Sequence, residues 1–241
     1  MNTILSLVVI LFDSLLKKLP SLISFKSFTG KNGGTVCTSS NAKRAMSWGF
    51  EQGEKILFLP DQHLGRNTAV LSLGLSLNDC VLWNPWKPRG GLTDDQIRNS
   101  KVILWRGHCS VHGRFSLANI DEVRERVPGV KVLVHPECTP DVVALGDYVG
   151  STSGIIDYAT ASDKDVFIIC TEMGVLYELK QKNPGKTFYS VGHRQFCPNM
   201  KRISLENVRD TLRDMKNQVE LPEELRLNAK KALDEMLRIA Q

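Results

Sequence analysis

The stretch Val102-Ile-Leu-Trp-Arg-Gly-His-Cys-Ser-Val-His112 decides the fold that we expect for this chain. Its first four residues form an unbroken apolar run, which is typical of a strand buried on both faces of a parallel sheet. Gly107 lets the backbone turn, and His108, Cys109 and His112 follow at the end of the strand. Ligands of open α/β sheets bind at the carboxyl ends of strands, so chemistry is expected here. A lone cysteine in such a place is more often inert packing. Cys109 therefore becomes a site residue only if other parts of the chain converge on it.

Composition and charge narrow the class of protein. The chain has 241 residues, of which 42% are hydrophobic and 24% charged, as in soluble globular proteins of one large or two modest domains. The net charge of +5 is spread along the chain without a basic tract, which argues against nucleic acid and agrees with a small anionic substrate. The six cysteines have no disulfide-framework spacing. They predict free or metal-bound thiols in a reducing compartment, the cytoplasm.

The first 34 residues differ from the rest of the sequence. The apolar run over residues 4–12 ends at Asp13, well short of the ~20 residues that span a bilayer. It also lacks the basic start and small-residue cleavage site of a signal peptide. We expect an amphipathic or frayed helix over residues 3–19 and a poorly ordered connector to Gly34, which together contribute little to stability. The alternative is a peripheral membrane anchor.

From Thr35 onward the chain alternates short apolar strands with turns and helices. The segment 35–41 is a strand end that enters a hydroxyl cluster, and the pattern predicts further strands at residues 55–60, 80–83, 102–105, 131–134, 147–149, 165–169 and 186–189. Two amphipathic helices, at about residues 205–216 and 222–240, close the chain. Alternation of this kind predicts an α/β fold of stacked three-layer αβα units with short parallel sheets.

Two internal similarities suggest that the units are duplicated. Leu57-Phe-Leu-Pro-Asp61 resembles Leu133-Val-His-Pro-Glu137, since both are apolar strands that end in proline and a carboxylate. Val36-Cys-Thr-Ser-Ser40 resembles Val149-Gly-Ser-Thr-Ser153, since both enter a hydroxyl-rich turn before a helix. These similarities predict units that are pseudo-symmetric about a central site.

The hydroxyl-rich turns have two interpretations. Each turn can simply cap its helix. Alternatively, the free N–H groups, the hydroxyls and the positive end of the helix dipole bind a carboxylate or phosphate. His135 and Glu137 lie in a loop that we expect beside these turns. His135 is then a candidate general acid or base, and Glu137 either orients it or binds a substrate ammonium group.

Seven segments resemble quinolinate synthase, and they run in the order of that family from about residue 35 to the end. They are Cys37-Thr-Ser-Ser-Asn-Ala42, Leu59-Pro-Asp-Gln-His-Leu-Gly-Arg66, Gly107-His-Cys-Ser-Val-His112, His135-Pro-Glu-Cys138, Gly150-Ser-Thr-Ser-Gly154, Thr171-Glu-Met-Gly174 and Cys197-Pro-Asn-Met-Lys201. The resemblance implies the condensation of iminoaspartate with dihydroxyacetone phosphate to quinolinate, the precursor of the NAD pyridine ring. It also implies three similar αβα domains around a pseudo-threefold axis, each giving one cysteine to a [4Fe–4S] cluster.

The resemblance carries roles to individual residues. Cys109 and Cys197 match two cluster ligands. Four residues match substrate-contacting positions: Ser39, His135, Glu137 and Thr152. His112 lies near the cluster, so the residues expected to take part in catalysis are His135, Glu137 and His112. The remaining thiols match no ligand position and are expected to pack in the interior: Cys37, Cys80, Cys138 and Cys170.

The chain also departs from the family pattern. The family's first domain supplies a cluster cysteine, a histidine, a tyrosine and a serine, whereas residues 1–34 contain no Cys, His or Tyr. We therefore expect a non-homologous segment at 1–34, the remainder of the second domain at 35–115 and the third domain at 116–241. With two thiolates the cluster should be labile and the activity impaired. The implied protein partner is a separate first-domain polypeptide or L-aspartate oxidase.

Two alternatives belong to other classes. One is a non-catalytic remnant that binds small dicarboxylates or phosphates. The other is a zinc or mononuclear metal protein that uses Cys109, either His108 or His112, and Cys197. Metal analysis separates the three hypotheses: iron with inorganic sulfide, no metal, or zinc.

Overall fold

The computed structural model describes residues 5–10, 19–192 and 195–240, with side chains from residue 23 onward. The strands in this part of the chain are β1 Leu5–Ile10, β2 Thr35–Cys37, β3 Lys55–Leu59, β4 Cys80–Trp83, β5 Val102–Trp105, β6 Lys131–Val134, β7 Tyr148–Val149, β8 Val166–Cys170 and β9 Thr187–Ser190. The α-helices are α1 Leu19–Lys31, α2 Ala42–Gln52, α3 Gln62–Asn67, α4 Asp94–Asn99, α5 Leu117–Arg126, α6 Pro140–Val143, α7 Thr152–Ala161, α8 Val175–Lys182, α9 Leu205–Asp214 and α10 Glu223–Ala240. None of these helices is long and apolar enough to cross a bilayer.

The first sheet contains five parallel strands in the order β2-β1-β3-β5-β4. Helices α2 and α3 cover one face, where Met46 and Leu64 pack against Phe58 and Leu104. On the other face, residues of α1 and α10 pack against β2 and β3 around the buried Ala232. Burying apolar side chains on both faces explains why the strands read as continuous apolar runs.

The second sheet contains four parallel strands in the order β7-β6-β8-β9. Neighbouring residues of a strand point to opposite faces. Val132 and Ile168 accordingly pack on the face that carries Ile120 of α5. Leu133 and its neighbours on β8 pack against α7 and α8. Each sheet is thus the middle layer of an αβα sandwich, which confirms the predicted fold class.

The predicted elements after residue 35 agree closely with the structure. The apolar run at 102–105 is β5, and the hydroxyl of Thr93 accepts the Gln96 N–H at 3.2 Å, as expected of the N-cap of α4. Of the two internal similarities, one joins equivalent strands, because β2 and β7 both lie at the edge next to the first strand of their sheet. The other joins β3 with β6, which hold different positions in the order of strands. In chain order β3 corresponds to β8, so the second similarity does not join equivalent strands, although the two units do share an order of strands.

The expectation for the N-terminal segment is also wrong. Leu5–Ile10 is not a helix but strand β1, which pairs in parallel with β2 on one side and with β3 on the other. The expected connector contains α1, which lies against α10. An added Cβ at Gly30 would overlap the Asn228 carbonyl oxygen of α10, so glycine permits this close helix crossing. Six residues of which five are apolar suit a strand or a helix by periodicity alone, and here the pairing partners decide. The segment supplies a middle strand of the sheet and is therefore part of the fold. Residues 3–4 and 11–18 of the predicted helix lie outside the described part of the chain.

Candidate functional site

The carboxyl ends of both sheets face one cavity of about 490 Å³, called the central cavity below. The chain after β5 contributes Cys109 and His112. The second half contributes a larger group of lining residues, which includes His135, Glu137, Thr152, Thr171, Glu172 and Cys197. Residues 88 positions apart in the chain thus reach one space because parallel strands present their carboxyl ends at a common edge.

Two contacts fix the loops of the first sheet. An added Cβ at Gly107 would overlap the carbonyl oxygen of Pro60, so only glycine allows the loops after β3 and β5 to approach this closely. The Gln62 N–H donates to the Gly107 carbonyl at 2.9 Å, and the Cys109 N–H donates to the Asp61 carboxylate at 2.8 Å. Burial and then the charge of Glu137 raise the pKa of Asp61 to about 7, although its two backbone N–H bonds oppose the rise.

A buried asparagine joins the two halves. The side-chain amide of Asn67, at the end of α3, donates to the carbonyl oxygens of Pro136 at 2.8 Å and Cys138 at 3.0 Å. These carbonyls flank Glu137, so the loop after β6 is held by a residue of the first half. No local pattern indicates this contact, because its partners lie about 70 residues away in the chain.

His112 and Glu137 form a buried pair across the halves. The Nδ1 atom of His112 lies 2.8 Å from Glu137 Oε2, and its Nε2 atom lies 3.0 Å from the Thr171 hydroxyl. Burial by itself lowers the pKa of His112, but hydrogen bonds to the Cys109 thiol and the Glu137 carboxylate outweigh it and raise the pKa to about 10. The raised pKa favours the imidazolium form of His112, which donates from both ring nitrogens.

His135 stacks on His112 with ring centroids 4.2 Å apart and an angle of 14° between the planes. Its Nδ1 atom accepts the Glu137 backbone N–H at 3.3 Å, which assigns the ring proton to Nε2. Nε2 then donates to the Ser39 hydroxyl at 3.2 Å. Burial, and then the positive charge of His112, lower the pKa of His135 well below 6.5. The site thus holds one neutral and one charged imidazole in contact, which separates a proton acceptor from a proton donor.

The six cysteines fall into two groups. Cys109 and Cys197 line the central cavity and share one buried cluster with Val111. The others line no part of that cavity. Cys37, Cys138 and Cys170 lie in the helix–sheet cores, where burial raises the pKa of each thiol, that of Cys170 to about 12. Thiols in such surroundings resist forming the thiolates that bind metals.

The structure brings most of the predicted site residues together. Cys109, His112, His135, Glu137, Thr152 and Cys197 all line the central cavity. Ser39 reaches it only through its hydrogen bond to His135 and lines a neighbouring cavity beside Ser151. His108, offered as a metal ligand in one alternative, is exposed and does not line the central cavity. The ligand atoms of Cys109, His112 and Glu137 lie within 4.8 Å of one another.

Sequence reasoning assigned no role to four residues of the site: Asp61, Asn67, Thr171 and Glu172. Asp61 and Glu172 each stand two residues after the end of a strand. Asp61 accepts the backbone N–H of Cys109, and Glu172 accepts that of Cys197. That repeated position was the signal available in the sequence, since polar residues just after buried strands collect at the ligand-binding edge.

The fold and the site define an α/β protein with a buried acid–base centre and paired thiols at the strand ends. A family model described as Quinolinate synthetase A protein (NadA) matches residues 21–238. The chain therefore belongs to the quinolinate synthase family. The match begins inside α1, so residues 21–34, which we expected to lie outside the family, are part of it.

Curated relatives agree with this assignment. The quinolinate synthase of Streptomyces coelicolor is 52% identical over 228 residues, which cover 90% of this chain and 57% of that protein. The corresponding protein of Geobacillus kaustophilus is 41% identical over 228 residues, 91% of this chain and 61% of its own length. That of Listeria innocua is 40% identical over 227 residues, again 91% of this chain and 62% of its own length. The chain thus spans about three-fifths of the length of these relatives.

Proposed function

We propose that this chain forms part of a quinolinate synthase active site, where iminoaspartate and dihydroxyacetone phosphate condense to quinolinate. The observation that carries the proposal is the meeting of Cys109, Cys197, His135 and the His112–Glu137 pair in one cavity. Family membership and 52% identity to a named quinolinate synthase support it. The free thiols favour a reducing compartment, and we propose the cytoplasm.

The donor set of the cavity fits part of an iron–sulfur centre. Cys109 and Cys197 would hold two irons of a [4Fe–4S] cluster, and the raised pKa values of the interior thiols leave the other described cysteines unsuited to hold a third. Such a cluster supplies a Lewis-acidic iron when one position is free of thiolate. A third ligand from a segment equivalent to the family's first domain completes the site in this proposal.

The protein groups have distinct proposed roles. His135 is neutral and carries its proton on Nε2, so it donates a hydrogen bond from that atom to the Ser39 hydroxyl or to a substrate oxygen, and a proton that it accepts as a base goes to Nδ1. His112 stays protonated, balances Glu137 and keeps that carboxylate oriented. Thr152 opens α7, so its hydroxyl and the positive end of the helix dipole receive a carboxylate or phosphate.

The test is anaerobic reconstitution of the full chain with iron and sulfide, followed by iron and sulfide analysis and a quinolinate assay with both substrates. We expect a labile cluster and little turnover from the chain alone, and more of both after addition of the first domain of a relative. In that mixture Cys109→Ser should remove the cluster's absorbance, whereas the matched interior variant Cys138→Ser should keep it. Failure of the first domain to raise turnover, or full turnover by the chain alone, contradicts the proposal.

One observation favours a second candidate. Cys109, His112 and Glu137 place three ligand atoms within 4.8 Å, which suits a single zinc or similar ion. Stoichiometric zinc in the chain purified without added metal, lost in Glu137→Gln but kept in Cys197→Ser, would favour this mononuclear site over the cluster.

A further inference from the structure

We propose that Asp61 and Glu172 are paired positioning residues, each of which fixes one of the two cavity cysteines by accepting its backbone N–H. The inference rests on the proposed function of the central cavity and extends it to residues that line up the two thiols. Both carboxylates stand two residues after a strand, Asp61 after β3 and Glu172 after β8.

Asp61 uses both of its oxygens. Oδ1 accepts the Leu64 N–H at 2.7 Å and so caps α3, while Oδ2 accepts the Cys109 N–H at 2.8 Å. The side chain is 1% exposed. Cys109 follows β5, the neighbour of β3 in the sheet. The carboxylate therefore joins the start of a helix to the cysteine loop of the next strand.

Glu172 repeats this arrangement in the second sheet. Oε2 accepts the Gly174 N–H at 2.6 Å at the start of α8, and Oε1 accepts the Cys197 N–H at 3.2 Å. Cys197 follows β9, the neighbour of β8. The Met173 N–H also donates to the Gln195 carbonyl at 2.8 Å, much as the Gln62 N–H donates to Gly107 in the first sheet.

The two contacts occupy equivalent places in the fold. In each sheet the first strand in chain order lies between the second and the third. Asp61 follows the third strand of the first sheet, and Glu172 follows the third strand of the second. Because the same contact recurs at equivalent places in both sheets, it is not an accidental hydrogen bond of one loop. Each fixes the backbone amide of its cysteine and hence the direction of the Cα–Cβ bond. Both thiols are thus held towards the cavity before any metal arrives.

The experiment uses the full chain, free of iron and under argon. Asp61→Asn keeps one oxygen to cap α3 but turns an NH₂ group towards the Cys109 N–H, and Glu172→Gln does the same at Cys197. The matched control is Asp147→Asn, whose carboxylate accepts the Val132 N–H at 2.8 Å away from the central cavity. Alkylation by iodoacetamide is followed at each cysteine by peptide mass spectrometry. In addition, bound Co²⁺ reports thiolate ligation through its sulfur-to-cobalt absorption.

Asp61→Asn should speed the labelling of Cys109 about fivefold and leave Cys197 unchanged, and Glu172→Gln should do the reverse. Each should lower the cobalt absorption by about half, the share of one of two thiolates, and the control should change neither readout. Equal rates in variant and wild type, or equal acceleration of both cysteines by both variants, would overturn the inference. Labelling of the interior Cys138 in Asp61→Asn would show that this variant does not fold. The Glu172→Gln variant, whose substituted residue is partly exposed, then tests the inference by itself. If the wild-type chain makes no quinolinate even with an added first domain, while the variants show the expected labelling pattern, the proposed function is refuted and this inference stands.

Discussion

The two sheets share an order of strands but differ in how locally they are built. In both, the first strand lies between the second and the third, as in β2-β1-β3 and β7-β6-β8. The second sheet is formed by one continuous run from β6 to β9, and each strand contacts helices that are near in sequence. The first sheet is closed on one face by α10 from the far end of the chain.

This difference also shows where the site comes from. Each sheet presents a cysteine held by a carboxylate, yet the imidazole–carboxylate pair and the asparagine contact form only where the two halves meet. We therefore expect damage to the first sheet to be largest, damage to the contacts between halves to be intermediate, and damage within the second sheet to be smallest.

Removal of residues 1–10 should have the largest effect. Without β1, the facing edges of β2 and β3 lose their hydrogen-bond partners in the middle of a sheet, and an unpaired buried backbone group is costly. We expect loss of amide-exchange protection in β2, β3 and β5 while β6 and β8 keep theirs. Removal of residues 1–3 is the control and should leave the protection intact. Unchanged protection in the longer deletion would show that β1 is dispensable.

His112→Ala should destabilise the chain by about 3–5 kcal/mol, since it leaves the buried Glu137 carboxylate without its partner. Urea unfolding of the iron-free chain, followed by circular dichroism, measures the loss. The double variant with Glu137→Gln should recover part of it, because no unpaired charge then remains. A single-variant cost below about 1 kcal/mol would mean that the pair does not hold the halves together.

Asn67→Ala should cost about 1–3 kcal/mol, because the carbonyl oxygens of Pro136 and Cys138 lose a buried donor. The exposed Asn78→Ala, in the same half of the chain, is the matched control and should stay within about 0.5 kcal/mol of wild type. The same unfolding measurement applies. Equal effects of the two variants would contradict a structural role for the contact between the halves.

Asp147→Asn should have the smallest effect, about 1 kcal/mol at neutral pH, because its contacts to Val132 and Lys131 stay within the second sheet. Burial raises the pKa of Asp147, but hydrogen bonds from Lys131 and the Val132 N–H outweigh it and lower the pKa. A lowered pKa means that this stability is present above the unfolded pKa of about 3.9 and is lost as the pH falls through the folded pKa. The difference between variant and wild type should therefore shrink in acid. A difference that grows on acidification would reverse the sign of this argument.

Much of the site could be predicted from the sequence. Strand ends are visible as apolar runs followed by glycine, proline or hydroxyl residues, so Cys109, His135, Glu137 and Thr152 were found where β5, β6 and β7 end. The similarity between the strand ends at Asp61 and Glu137 suggested equivalent strands, but proline and a carboxylate follow both β3 and β6, which hold different places in their sheets. Asp61 and Glu172 share a position two residues after a strand, but their equivalence depends on the order of the strands, which that local position does not reveal.

The sequence by itself determined the alternation of strands and helices, the turns and the identity of the reactive side chains, because periodicity, capping and turn chemistry act over a few residues. Only the tertiary structure decided that residues 5–10 form a strand, since a short apolar run takes its conformation from its neighbours. It also decided the charge states of the two stacked histidines. Those depend on burial and on partners such as Glu137, which lies 25 residues from His112 and reaches it only when the two halves pack together.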